Sequence, residues 1–278
     1  MAGCTNKDTD TQCGECARCH TGEAWLCEKG GAANRKGELL TGGTRLTHKG
    51  ETIHHHMGVA AFAEYTLVAE ASAVKVQPDL PAKDITVFGC AVLCGAGTAR
   101  NTAGVGESDS VAVIGLGAVG LSAIAGARAA GAARIIAVDL LEEKLTPALA
   151  IGATDAVVAG AETVDWVVET TSGGVDHVIE ASGTVAGFEL GMGLARRGGT
   201  VTVLGLAGPS DCRHLPLADL VVKGVTIKGS YFGSCDAARD VPYFIDLHRQ
   251  GLLPADQLVS HHIPLDDVNS ALDRPRRR

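Results

Sequence analysis

Four cysteines stand close together near the start of the chain. Cys13, Cys16, Cys19 and Cys27 are spaced C-x2-C-x2-C-x7-C, so four thiolates within fifteen residues can wrap one tetrahedral Zn²⁺. Four sulfur ligands leave no position open for substrate, and a loop without a core of its own needs metal–sulfur bonds to hold its shape, so the expected site is structural. Disulfides or free thiols are the other reading. The chain has nine cysteines, an odd count, and its first dozen residues are polar, which favours zinc and a reducing, cytoplasmic setting. Cys4 and His20 lie nearby and are not needed as ligands.

A second constellation begins at residue 115. Gly115, Gly117 and Gly120 form G-x-G-x-x-G, with Leu116, Ala118 and Val119 between them, directly after the apolar run VAVI and at the start of an Ala-rich stretch. That context is what a pyrophosphate cradle requires. The first glycine permits the tight turn, the second lets a phosphate approach the backbone, and the third lets helix and strand pack. Asp139 follows the next strand-like run, nineteen residues after Gly120, where a carboxylate can accept hydrogen bonds from both adenosine ribose hydroxyls and repel a 2′-phosphate. NAD is therefore expected over NADP. Lys144 stands five residues further on and can reach the same ribose or simply face solvent.

The elements around these residues read in two styles. Residues 31–88 mix turn clusters with short strand-like runs such as EYTLVAE (64–70) and SAVKV (72–76), a β-rich pattern. From about 110, strands alternate with helices: VAVIG, a helix at 119–130, RIIAV, a helix at 141–150, DAVVA, DHVIEA, TVTVLG and VTIKGSYFG, then a helix at 237–250. Alternation of this kind implies crossover units and a parallel sheet. No internal repeat is found.

Composition narrows the class. The 278 residues are 46% apolar and 20% charged, and the 36 glycines are nearly twice the usual ~7%, as tight turns and close backbone contacts demand. A formal charge of -8 argues against a nucleic-acid partner, and the basic end RPRRR at 274–278 is too short to reverse that. Residues 110–127 are uncharged over nearly the length of a membrane span, but glycines at 115, 117, 120 and 126 divide them into strand, turn and helix. No membrane contact is expected.

With the four-cysteine loop some ninety residues before the glycine-rich turn, the chain resembles the zinc-dependent medium-chain alcohol dehydrogenases. IHHHMGVAAFAEYTLV (53–68), FGCAVLCGAGTARNTAGV (88–105), SVAVIGLGAVGLSAIAGARAAGAARIIAVD (110–139) and VTIKGSYFGS (225–234) carry the likeness, especially to the class III, glutathione-dependent formaldehyde dehydrogenase branch. The resemblance implies an α/β protein: a Rossmann doubly wound parallel sheet plus a partial GroES-like β-rich catalytic domain with a structural zinc lobe. It divides the chain into 1–88 (catalytic domain with the zinc loop), 89–246 (NAD-binding domain) and 247–278 (a return to the first). It also implies zinc and NAD as cofactors and an alcohol or aldehyde as substrate, with hydride transfer as the reaction.

By the same likeness, Cys90 matches a catalytic zinc ligand and Cys94 stands where the family usually has Thr against the nicotinamide ring. VTIKGSYFGS matches the strand through which two sheets join edge to edge, so a homodimer through residues 225–234 is expected. The family places its other catalytic zinc ligands and its proton relay before the structural zinc loop, and it adds a strand beyond DRPRRR. The expectation is accordingly a chain truncated at its start and its end, with little or no turnover alone. The triplet His54, His55, His56 and the pair His261, His262 are read as surface or packing residues rather than substitute ligands. Two further readings stay open: a reductase of the same fold without catalytic zinc, and a catalytically dead NAD-binding remnant.

Overall fold

The first eighty residues are polar and glycine-rich, and the elements they build are short. In the computed structural model, which describes residues 4–6, 12–59, 61–66, 68, 73–208, 210–212, 215 and 217–273, strand β1 (Cys4–Asn6) pairs antiparallel with β4 (Ala73–Lys75). Likewise β2 (Leu46–His48) pairs with β3 (Glu51–Ile53). Of the strand-like runs, 72–76 contributes β4, whereas residues 64–66 and 68 are in no strand. Residues 67 and 69–72 lie outside the described residues, as does the basic end at 274–278.

Two departures from the sequence reading come from helices. Glu28–Lys36 (EKGGAANRK) is helical although two adjacent glycines disfavour it; Cys27 Sγ accepts from the Gly30 amide at its start, Arg35 and Lys36 complement its last turn, and Gly37 ends it at φ 67. The chain also turns helical from Ala82, well before the alternation that begins near 110, with helices at Ala82–Ile85 and Ala91–Gly97. The molecule divides into two compact units, Met1–Pro81 with Val259–Arg278, and Ala82–Leu258.

All six apolar runs read after residue 110 are strands of one sheet. These are β5 (Ser110–Ile114), β6 (Arg134–Asp139), β7 (Asp155–Val158), β8 (Val175–Glu180), β9 (Ala195–Val203) and β10 (Thr226–Gly229). They run parallel in the order β10-β9-β8-β5-β6-β7, so the winding reverses between β5 and β8. That is the doubly wound Rossmann arrangement, whose ligands bind beyond the carboxyl ends of the strands at the reversal. Val111, Ala112, Val113, Ile135, Ile136, Ala137 and Val138 are all buried, because helices cover both faces, and this is why the strands read as continuous apolar runs.

The small residues of the first crossover have a packing reason. A Cβ on Gly95 would stand 2.1 Å from the Val119 carbonyl oxygen, and one on Gly126 would stand 2.6 Å from Ala96 Cα. Helix Ala91–Gly97 thus crosses helix Ala118–Ala129 nearly backbone to backbone. The uncharged stretch at 110–127 resolves into β5, a turn and this twelve-residue helix. Among the described residues, no single helix is long and apolar enough to cross a membrane.

Candidate functional site

In the first unit, a short helix (Ala17–His20) and the start of helix Glu28–Lys36 bring the four cysteines of the loop together. Their Sγ atoms all lie within 4.8 Å of one another, with Cys16 Sγ 3.6 Å from Cys19 Sγ and 3.9 Å from Cys27 Sγ. A tetrahedral zinc with bonds of about 2.3 Å sets its sulfurs about 3.8 Å apart, so this donor set fits the ion. None of the four is bridged.

Backbone amides prepare the sulfurs for negative charge. Glu15 N and Cys16 N donate to Cys13 Sγ at 3.4 and 3.3 Å, and Cys13 N and Gly30 N donate to Cys27 Sγ, each at 3.3 Å. Hydrogen bonds from the Cys19 and Glu28 amides hold the Cys16 thiol down at about 6, and the Glu15 amide lowers Cys13. Burial pushes Cys19 up to about 12. A nearby dication reverses such a penalty, because it stabilises the thiolate directly.

In the second unit, the glycine-rich turn sits at the carboxyl end of β5. Gly115 has φ +89, which suits glycine, and a Cβ on Gly120 would stand 1.9 Å from the Gly115 carbonyl oxygen, so turn and helix are in contact. Nothing lies within 4 Å of a Cβ built on Gly117. Gly117 and Ala118 are exposed and Val119 is half-buried, while Leu116 is buried and anchors the turn. The amino end of helix Ala118–Ala129 therefore opens onto solvent at the sheet edge, an arrangement suited to an anion.

Asp139, the last residue of β6, is only 7% exposed. Its Oδ2 accepts from Leu116 N at 2.7 Å and its Oδ1 from Leu141 N at 3.0 Å, so this acid ties the glycine-rich turn to the next strand. Lys144 Nζ lies 3.4 Å from Oδ2, which pairs the lysine with the acid. Lys144 belongs to a 3-10 turn, Glu142–Lys144, and the α-helix proper runs from Leu145 to Ile151 rather than over 141–150.

Cys90 is exposed and precedes helix Ala91–Gly97, in which Cys94 is half-buried. The Cys94 thiol donates to Cys90, which lowers Cys90 to about 7 and raises Cys94. Among the described residues, the one group of His, Cys, Asp and Glu atoms gathered closely enough to hold an ion is the four-cysteine set, and Cys90 is not part of it. A catalytic zinc needs three protein ligands and an open position, so the described residues do not fit that second ion. His55 is buried, and its Nε2 accepts from Arg45 N at 3.4 Å; His54, His56, His261 and His262 are exposed.

The family described as Zinc-binding dehydrogenase matches residues 118–249. Over 267 residues the chain is 38% identical to "Alcohol dehydrogenase class-3" of Myxine glutinosa, covering 94% of this chain and 70% of the relative. This chain belongs to the zinc-dependent medium-chain alcohol dehydrogenases. The dehydrogenase is also 35% identical to "S-(hydroxymethyl)glutathione dehydrogenase" of Escherichia coli O1:K1 / APEC, over 94% of this chain and 72% of that one. Among solved structures, the alcohol dehydrogenase zinc-binding domain protein from Burkholderia ambifaria superimposes with a TM-score of 0.90 at 35% identity, covering 97% of this dehydrogenase and 73% of its own chain. The family is one of oxidoreductases working with zinc and NAD(P), in keeping with the cysteine cluster and the doubly wound sheet.

One acid at this edge escaped the sequence reading. Glu180, the last residue of β8, is 1% exposed, and its Oε1 accepts from Ser182 N at 2.7 Å, from Gly183 N at 3.0 Å and from the Ser182 hydroxyl. Its signal was an acid closing the run DHVIE just before Ala-Ser-Gly.

Proposed function

We propose that the chain binds NAD at the carboxyl edge of its parallel sheet and one structural zinc on Cys13, Cys16, Cys19 and Cys27. The reaction it is built around is hydride transfer between NAD and a primary alcohol or S-hydroxymethylglutathione. The observation that carries this reading is the turn Gly115–Gly120, open at Gly117 and tied by the Leu116 amide to Asp139.

Gly115, Leu116, Gly117, Ala118, Val119 and Gly120 form the turn that cradles the pyrophosphate, with Gly115 N held by Val138 O and Leu116 N by Asp139, so that the amides from Gly117 onward are the ones left for the phosphates. Asp139 takes the adenosine ribose hydroxyls with its remaining lone pairs and disfavours a 2′-phosphate, while Lys144 steadies that carboxylate. Cys94 borders the nicotinamide ring. Bound NAD supplies the ring carbon that accepts the hydride.

Cys90 is assigned as one ligand of the catalytic zinc. With no group of three ligands including Cys90 among the described residues, turnover by this polypeptide alone is expected to be slight or nil. The same observation favours a second reading, a catalytically silent NAD-binding protein. A homodimer through residues 225–234 completes the proposal, since β10 is one of the sheet's two edge strands and all four of its residues are exposed.

Zinc per chain on metal-loaded protein, measured together with NAD titration, tests this reading. One zinc with NAD bound is the expected result. Two zincs would overturn the assignment of an incomplete catalytic site, and absence of NAD binding would overturn the dinucleotide reading itself.

A further inference from the structure

The first unit holds a cavity that neither the zinc set nor the proposed dinucleotide site uses. It measures about 140 Å³, near the size that admits a benzene ring, and its walls include Leu39, Leu46, Ala63, Arg45, His55 and Tyr65. Local backbone bonds shape it. Leu39 N donates to Gly43 O at 2.9 Å and closes the turn 39–43, and β2 pairs with β3 through Leu46 and Ile53. His55 N donates to Gly37 O at 2.9 Å, just past the end of helix Glu28–Lys36.

Two of the wall residues carry unmet polar chemistry. His55 is only 7% exposed, and its Nε2 accepts from Arg45 N at 3.4 Å, which leaves the proton of the neutral ring on Nδ1. That Nδ1 is buried and has no hydrogen-bond partner among the described residues. A buried donor without an acceptor is costly, so native structures rarely keep one unless a ligand or water meets it. Arg45 is exposed, and its guanidinium makes no ion pair or hydrogen bond among the described residues. None of the described residues lining the cavity is acidic. One cation and one N–H donor therefore stand beside an otherwise apolar wall of Leu39, Leu46 and Ala63.

We propose that this cavity binds a small organic carboxylate: the carboxylate pairs with Arg45, His55 offers its Nδ1–H to the same end, and the apolar body of the ligand rests on Leu39, Leu46 and Ala63. An inorganic anion leaves the apolar walls bare, and a neutral hydrocarbon leaves both donors unmet. A carboxylate on an apolar body satisfies both, because the guanidinium fork matches its two oxygens. The inference does not depend on NAD.

Benzoate, whose ring suits the volume, is the probe, with benzamide as its uncharged counterpart. Titration of the zinc-loaded chain is expected to show one benzoate per chain, benzamide binding about tenfold or more weakly, and a shift of the His55 imidazole resonances on binding benzoate. Arg45→Gln removes the cation and should weaken benzoate about tenfold or more. Ala63→Phe fills the cavity from an exposed position and should abolish binding. Both variants should keep the zinc content and melting temperature of the wild type; if Arg45→Gln does not, Ala63→Phe and the benzamide comparison decide the matter. No benzoate binding by the folded wild type, or binding that both folded variants leave intact, would overturn the inference. Equal affinity for benzoate and benzamide, or for benzoate and inorganic sulfate, would overturn the assignment to organic carboxylates.

Discussion

Asp139 has more partners than a ribose-binding acid needs. Its two oxygens accept from Leu116 N and Leu141 N, so substitution disturbs the glycine-rich turn as well as the proposed ribose contact. In Asp139→Ser, NAD affinity is expected to fall about tenfold or more and NADP affinity by less, shifting the preference toward NADP; equilibrium titration of both dinucleotides checks the ratio. In the cysteine loop, Cys16→Ala should take zinc from one per chain to near zero and loosen residues 13–36, read by metal analysis and hydrogen exchange. Asp176 gives a pH-dependent case. Burial works against its ionised form, but Ser110, through hydroxyl and amide, and Arg196 outweigh it and bring Asp176 to about 2. A carboxylate depressed on folding adds stability above its unfolded pKa and loses it as pH falls, so the contribution of about 2 kcal/mol at neutral pH should fade between about pH 4 and pH 2. Denaturant melts of wild type and Asp176→Asn should converge over that interval.

At the scale of elements, the crossing of helices Ala91–Gly97 and Ala118–Ala129 tolerates no added atoms. Gly95→Ala places a methyl 2.1 Å from the Val119 carbonyl oxygen, so a loss of about 1–3 kcal/mol is expected in equilibrium unfolding. The alternation of strand and helix after residue 110 was readable because each buried strand is a run of β-branched or small apolar residues bounded by glycine. Helix Glu28–Lys36 was not readable. Its formation depends on Cys27 as a cap, and a thiol in that place belongs to the cysteine cluster before it belongs to any helix pattern. The segment 82–103 was equally opaque, since its alanines and glycines show no period of their own and make sense only against the facing helix.

For the whole molecule, the proposed homodimer rests on β10. Thr226–Gly229 lies at one end of the sheet with every residue exposed, and Ile227 faces outward. Ile227→Lys should turn a dimer into a monomer while leaving NAD affinity unchanged, as sedimentation and titration would show. The sequence by itself determined the family, the parallel sheet, the four-cysteine set and the acid at 139, because each rests on short-range spacing of a few chemically distinctive residues. Only the tertiary structure decided that Asp139 and Glu180 both brace the glycine-rich turn, and that Cys90 gathers no companion ligands among the described residues. The reason is physical: Leu116 and Asp139 are separated by twenty-three positions, and Gly115 and Ser182 by more than sixty, so only the folded sheet brings them into contact.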